Sequence, residues 1–122
     1  MDVLAMVAVA RSGIENLRPH EVMAEMKSQK VLLIDVREPA ETADGSIQGA
    51  VFTPRGTLEF CADLTTSSHD EGFDLRRRTI LCSATGRRSA LAGHTLQAMG
   101  YLDVAHLEGG LEAWVAAGFL LT

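Results

Sequence analysis

Residues 79–89 decide the fold prediction, and they read Thr79-Ile80-Leu81-Cys82-Ser83-Ala84-Thr85-Gly86-Arg87-Arg88-Ser89. Its first four residues, 79–82, form a continuous run of mostly apolar side chains. Such a run is typical of a strand buried on both faces, which belongs to a parallel sheet covered by helices. Beyond the polar loop, Ala92, Leu96 and Met99 recur at helical spacing, and Gly100 follows as a stop signal. The segment therefore predicts a strand over residues 79–82, a connecting loop and a helix over residues 89–99.

The same alternation of strands and helices extends in both directions. Strands are predicted over residues 31–34, ending in Asp35, and over residues 104–107, with a short apolar piece at residues 50–52. Helices are predicted over residues 19–28, 57–62 and 111–117. This order predicts an α/β sandwich around a parallel sheet, whose ligands bind beyond the carboxyl ends of the strands. Two segments occupy that position, residues 35–38 and residues 83–88.

The composition limits the classes of function. The chain has 122 residues with 16 acidic and 11 basic side chains, a formal charge of −5, which predicts one domain and argues against a nucleic-acid partner. The triplet Arg76, Arg77 and Arg78 is predicted to be solvated. The only cysteines are Cys61 and Cys82, and no zinc motif is present. We therefore expect no metal, no cofactor, and reduced thiols in a cytoplasmic protein.

The N-terminal apolar run covers residues 3–10. It is too short to cross a bilayer, which takes about 20 residues, so no membrane partner is expected. No cation precedes it, as one would in a signal peptide. We predict a packed helix in an N-terminal extension of residues 1–14, followed by the main domain at residues 15–122.

The loop after residue 82 gathers groups that stabilise negative charge. Its backbone N–H groups and the start of a helix converge at the end of a strand, which favours an anion or a thiolate. Gly86 lets the loop curl, and Arg87 or Arg88 can add charge-assisted hydrogen bonds. The predicted anion-binding N–H groups are those of Ala84, Thr85, Gly86, Arg87 and Arg88. The local sequence alone fits a plain connection with Ser89 as helix N-cap equally well.

Several short motifs follow one another between about residues 17 and 118. They are Asp35-Val36-Arg37-Glu38 with Glu41, then Gly45, Ile47 and Gly49-Ala50, then Pro54-Arg55-Gly56, then Gly86-Arg87-Arg88-Ser89-Ala90-Leu91-Ala92, and finally Glu108-Gly109-Gly110 with Trp114. In these motifs the chain resembles the rhodanese-like (thiosulfate sulfurtransferase) single-domain family. The resemblance implies an α/β three-layer sandwich, with a five-stranded parallel sheet flanked by helices, and a loop opened by an active-site cysteine.

The resemblance also implies the chemistry of sulfane sulfur transfer. Family members take sulfur from thiosulfate or a protein persulfide, carry it as a cysteine persulfide, and pass it to a thiol or to cyanide. In their loop, Cys-x-x-Gly-x-Arg-Ser, the cysteine stands three residues before the glycine, where this chain has Ser83. A serine hydroxyl titrates far above a thiol and forms no sulfur–sulfur bond. A chain with Ser83 as its nucleophile is therefore expected to be inactive. Thr42 and Ser46 stand where the family usually has an aromatic residue and a histidine.

Three accounts of the loop stay open. In the first, Ser83 replaces the nucleophile, by engineering or in a naturally inactive relative. In the second, Cys82 is the nucleophile of a loop one residue longer that Arg88 closes. That spacing also occurs in dual-specificity phosphatases and arsenate reductases of this fold, and it would suit a phosphate or arsenate anion. In the third, Cys82 is an inert strand thiol in a module that only binds a persulfide or another anion.

Other polar residues are expected to support the loop. Asp35, Arg37 and Glu41 are predicted to form a hydrogen-bonded set beneath it, because buried charges survive only when paired. Ser89 is a further support, and Arg55 lies at the family's pocket rim, where it can meet an anionic substrate. Two further expectations concern residues outside the catalytic set. Cys61 is predicted to be half-buried, and no role is assigned to His20, His69, His94 or His106.

Overall fold

The computed structural model of the chain describes residues 1–28 and 30–122. The strands are β1 (Glu15–Leu17), β2 (Leu32–Asp35), β3 (Val51–Phe52), β4 (Thr79–Cys82) and β5 (Val104–Leu107). The helices are α1 (Val3–Ser12), α2 (Pro19–Ser28), α3 (Leu58–Ala62), α4 (Arg87–Ala98) and α5 (Gly110–Ala116). Two 3₁₀ turns, Pro39–Asp44 and Arg55–Thr57, lie between β2 and β3 and before α3.

The strands form one parallel sheet in the order β1-β5-β4-β2-β3. This confirms the predicted α/β architecture with a five-stranded parallel sheet flanked by helices. Asp35 of β2 lies in register with Cys82 of β4, so the two strands end at the same level. The segments that follow them therefore lie side by side at the carboxyl edge of the sheet, where ligands bind in folds of this class.

An apolar layer covers each face of the sheet, because successive residues of a strand point to opposite faces. Leu81 of β4 packs in one layer with Leu58 of α3 and Leu96 of α4. Its neighbour Cys82 packs in the other layer with Trp114 of α5. The alternation along β4 therefore directs the Cys82 side chain into the core under α5.

Two local predictions differ from the structure. The sequence pattern does not predict β1, since only Leu17 of its three residues is buried and the strand pairs with β5 alone at the sheet edge. Helix α4 begins at Arg87, with Gly86 as its N-cap at a φ of 94°, so the alternative with Ser89 as N-cap is wrong. The left-handed conformation that glycine permits places the N-cap three residues before Ser89.

The prediction of solvated arginines is wrong for Arg78, whose side chain is only 11% exposed. Its guanidinium donates to the carboxylates of Glu15, Glu25 and Asp103 at 2.7–2.8 Å. These hydrogen bonds raise the pKa of Arg78, foremost the one to Glu25. The partners are 25 to 63 residues away in the sequence, so no local pattern reveals them. These ion pairs connect the residue before β4 with β1, with α2 and with the residue before β5, at the edge of the sheet opposite to the loop.

Helix α1 packs on α4 through one side. Its buried residues are Val7 and Ala10, which cluster with Ile14 and with Ala90 of α4, whereas Val9 on the other side is exposed. Across residues 1–28 and 30–122, no helix has the length and apolarity needed to cross a membrane. We propose that residues 1–14 are an extension docked on a domain of residues 15–122.

Removal of residues 1–14 tests this boundary. We expect the shortened chain to unfold cooperatively in urea with a free energy of unfolding lowered by about 3 kcal/mol, because the buried area of Val7 and Ile14 is lost. Replacement of the exposed Val9 by Ser in the full chain is the control and should leave the free energy unchanged. A shortened chain without a cooperative transition would show that the helix belongs to the domain itself.

Candidate active site

Ser83 opens the loop between β4 and α4, and its side chain lies at the centre of that loop. The residue is 1% exposed. Its Oγ accepts hydrogen bonds from the backbone N–H of Gly86 at 3.2 Å and of Ser89 at 3.1 Å. One amide from the curled loop and one from the first turn of α4 thus point at the same atom, Ser83 Oγ.

Two carbonyl groups of the loop accept hydrogen bonds from the start of α5. Ser83 O accepts from the N–H of Leu111 at 2.9 Å, and Ala84 O accepts from the N–H of Glu112 at 3.1 Å. The N–H groups of Arg87 and Arg88 lie in the first turn of α4, where a helix has no acceptor of its own for them. The bonds to α5 fix the direction of the two loop carbonyls, and the first N–H groups of α4 are free to face an anion.

Gly110 makes this contact with α5 possible. Its φ is 66°, and a Cβ placed on it would lie 2.5 Å from the carbonyl oxygens of Ser83 and Ala84. Glycine is therefore required both by the left-handed backbone and by the close approach. The sequence indicates only a tight turn at Glu108-Gly109-Gly110, and the structure shows that this turn supports the loop directly.

Cys82 has a very different environment from Ser83. Its side chain is fully buried among the apolar residues around Trp114. Burial raises the pKa of its thiol, and the nearby charge of Asp35 raises it further. A thiol in such surroundings stays protonated near neutral pH, whereas nucleophilic attack requires the thiolate.

Arg88 is paired with Glu41 rather than with the interior of the loop. Its Nη1 and Nη2 donate to Glu41 Oε2 and Oε1 at 2.7 and 2.8 Å. These hydrogen bonds, followed by one from the N–H of Glu38, lower the pKa of Glu41 to about 2. Arg87, by contrast, is exposed to solvent. The pair of Arg88 and Glu41 fastens the start of α4 to the 3₁₀ turn after β2.

Asp35 and Arg37 come together beneath this turn. Arg37 Nη2 donates to Asp35 Oδ2 at 2.8 Å, in a pair with side chains 7% and 0% exposed. Ser46 Oγ, where the family usually has histidine, donates to the same Oδ2 at 2.6 Å. Glu41 joins the set only through its backbone carbonyl, which accepts from Arg37 Nη1 at 2.9 Å, because its carboxylate is engaged by Arg88.

Arg55 is hydrogen-bonded to side chains of two helices. Its Nη1 donates to Glu59 at 2.8 Å, and its Nη2 donates to Thr95 Oγ1 at 3.1 Å. The guanidinium therefore bridges α3 and α4.

The half-buried position predicted for Cys61 agrees with its intermediate exposure.

The sequence prediction misses His106, which is fully buried. Its Nδ1 lies 2.9 Å from Ser89 Oγ, and its Nε2 lies 2.8 Å from Asn16 Oδ1. Since Ser89 N–H donates to Ser83, the imidazole is connected to the loop centre through one residue. The position of His106 at the end of the predicted strand 104–107 is the one signal that could have indicated it.

Substitution of Gly110 tests the support from α5. We expect Gly110→Ala to lower the free energy of unfolding by at least about 2 kcal/mol more than Gly100→Ala, because buried overpacking adds to the backbone strain. Gly100 is a matched control, since its φ is 100° and nothing lies within 4 Å of an added Cβ. Urea denaturation measures both. Equal losses in the two variants would show that the contact does not hold the loop.

Comparison with known proteins places the chain in a family. The family model of the rhodanese-like domain matches residues 18–117. The probable adenylyltransferase/sulfurtransferase MoeZ of Mycobacterium tuberculosis is 33% identical over 99 residues, which are 80% of this chain and 24% of MoeZ. Thiosulfate sulfurtransferase GlpE of Pseudomonas fluorescens is 28% identical over 103 residues, which are 84% of this chain and 86% of GlpE. The chain spans 24% to 54% of the length of MoeZ and of two further curated relatives that it matches.

A solved structure matches the whole chain. It is a protein of unknown function from Rhodopseudomonas palustris, described as a "Possible Tyrosine Phosphatase", with 38% sequence identity and a TM-score of 0.94 over 100% of this chain and 95% of that one. Its match includes α1, which lies outside the residues matched by the family model. The matched residues 18–117, together with the sheet order and the loop, show that the chain belongs to the rhodanese-like sulfurtransferase family.

Proposed function

We propose that the chain is a rhodanese-like sulfurtransferase domain in which Ser83 holds the nucleophile position and blocks the persulfide step. One observation carries the proposal: the N–H groups of Gly86 and Ser89 converge on Ser83 Oγ. The amides of residues 84–88 and the exposed Arg87 form the site for the sulfur donor, which is either a small anion, thiosulfate, or a protein persulfide. The acceptor is a thiol or cyanide, and the cytoplasm is the proposed location.

The geometry explains what a thiol at position 83 would do. Hydrogen bonds from two amides and the positive end of α4 would stabilise a thiolate there. That thiolate would attack the outer sulfur of thiosulfate, form a new sulfur–sulfur bond and release sulfite with the electron pair of the broken bond. Cyanide would then take the outer sulfur as thiocyanate and regenerate the thiolate. A serine hydroxyl stays protonated and cannot begin this sequence.

The variant Ser83→Cys tests the proposal. We expect it to gain thiosulfate:cyanide sulfurtransferase activity, seen as thiocyanate formation, and to carry one added sulfur atom by mass after incubation with thiosulfate. The matched control is Ser83→Cys combined with Cys82→Ser, which should keep the activity because Cys82 is buried in the core. A folded Ser83→Cys variant that neither turns over nor gains sulfur would overturn the proposal.

A phosphatase-like activity through Cys82 is the second candidate. The spacing from Cys82 to Arg88 suits it, and the similar Rhodopseudomonas palustris protein is described as a possible tyrosine phosphatase. The buried thiol of Cys82 and the pairing of Arg88 with Glu41 favour the first candidate.

Assays of the unmodified chain separate the two candidates. From the burial of Cys82 we expect hydrolysis of an aryl phosphate and reduction of arsenate to stay at background. Activity that Cys82→Ser abolishes would establish the phosphatase-like function instead. If neither activity appears and Ser83→Cys also gains none, the remaining function is an anion- or persulfide-binding module, which sulfate binding measured by calorimetry would reveal.

A further inference from the structure

His106 lies beside the loop, within a chain of hydrogen bonds that ends at Ser83. The imidazole Nδ1 is 2.9 Å from Ser89 Oγ, and the backbone N–H of Ser89 donates to Ser83 Oγ. The same Ser89 Oγ is also 3.1 Å from the carbonyl oxygen of Gly86. The single hydroxyl hydrogen of Ser89 therefore has two competing acceptors, the imidazole and Gly86 O.

The surroundings of Nε2 decide where that hydrogen goes when the imidazole is neutral. Asn16 Nδ2 donates to the carbonyls of Arg11 and Ile14, so Asn16 Oδ1 faces His106 Nε2 at 2.8 Å. Glu108 Oε2 lies 3.5 Å from the same nitrogen. Both neighbours are acceptors, so Nε2 must carry the hydrogen. Nδ1 is then an acceptor and takes the Ser89 hydroxyl hydrogen away from Gly86 O.

Protonation of the imidazole reverses this arrangement. A proton from solvent binds Nδ1, which becomes a donor to Ser89 Oγ. The Ser89 hydroxyl hydrogen must then turn to the carbonyl of Gly86, while Nε2 keeps its bond to Asn16. Gly86 is the residue whose N–H donates to Ser83 Oγ. One added proton thus adds one hydrogen bond at the carbonyl of Gly86.

We propose that His106 is a positioning residue of the loop. Its protonation state selects the hydrogen-bond partner of the Ser89 hydroxyl and thereby adjusts the hydrogen bonds that the loop makes to the atom at position 83. The hydrogen-bond exchange depends only on the contacts given above. Its consequence for sulfur transfer rests on the function proposed in the preceding section.

The charged groups around His106 set the pH range of the exchange. Burial lowers the pKa of the imidazole, Glu108 beside Nε2 raises it, and Arg11 of α1 lowers it. Arg11 is itself paired with Glu108 at 2.9 Å, and Ser89 of α4 and Asn16 of β1 are uncharged. The ring is therefore neutral at pH 7 and becomes protonated below the ordinary range around 6.5. Because the unfolded chain binds this proton first, His106 contributes stability above that range and less as the pH falls.

Nuclear magnetic resonance of the full chain tests the exchange without any activity. At pH 7.5 we expect the ring nitrogens of His106 to show the tautomer with hydrogen on Nε2. As the pH falls, the carbonyl carbon of Gly86 should shift with the same midpoint as the ring. A neutral ring with hydrogen on Nδ1, or a ring that titrates without a Gly86 response, would overturn the proposal.

The variant Ser89→Ala is the matched control, since it removes the hydroxyl that connects the two groups. Its ring should still titrate, and the pH response of Gly86 should disappear. An unchanged Gly86 response would mean that the shift reaches the loop by another route, against the proposal. If Ser89→Ala does not fold, Ser89→Thr keeps the hydroxyl, and its Gly86 response should still follow the ring.

Kinetics of Ser83→Cys then address the consequence for sulfur transfer. We expect the pH profile of the rate to contain a step of about fivefold at the midpoint of the His106 titration, the effect of about one hydrogen bond. Addition of Ser89→Ala should remove that step. An active Ser83→Cys protein without the step would confine His106 to a structural role. An inactive one would overturn the proposed function, while the resonance measurements would still decide the exchange.

Discussion

The fit between the start of α5 and the loop after β4 is the constraint on which the site depends. The N–H groups of Leu111 and Glu112 take the carbonyls of Ser83 and Ala84, and Gly110 lets the two backbones approach closely enough. This contact fixes the curl of the loop and the direction of its carbonyls. The N–H groups of the loop and of the first turn of α4, which has no acceptors of its own for them, lie on the side of the loop away from α5.

The positive side chains near this edge serve mainly to hold the framework. Arg37 is bound to Asp35, Arg88 to Glu41, and Arg55 to Glu59. The pair of Arg88 and Glu41 joins the start of α4 to the 3₁₀ turn after β2, whereas the other two pairs are local in sequence. The pair of Arg37 and Asp35 is buried, where loss of one partner would leave an uncompensated charge. We therefore propose that this edge attracts anions chiefly through backbone dipoles and the exposed Arg87. Backbone dipoles do not change with pH, so a pH response needs a separate group, the role that we assign to His106.

The sequence predicts the strands and helices better than the start of α4 and the side-chain contacts between distant residues. Both β4 and β5 agree with their predicted ranges, because each is a buried apolar run, and the ordered motifs locate the loop correctly. The start of α4 depends on the backbone conformation of Gly86, which residue type permits but does not require. The contacts of His106 and Arg78 join residues 17 to 90 positions apart, and only the folded sheet brings these together. Local patterns contain no information about such pairs.

Cys82 and Ser83 are neighbours in the sequence, and this has a consequence for how the protein can be altered. The sulfur atom of the first packs in the core, whereas the oxygen atom of the second is surrounded by main-chain N–H groups. Since peptide groups surround this position, we expect an exchange of its oxygen for sulfur to preserve the fold. We therefore propose that catalytic competence and architectural integrity are separable in this molecule.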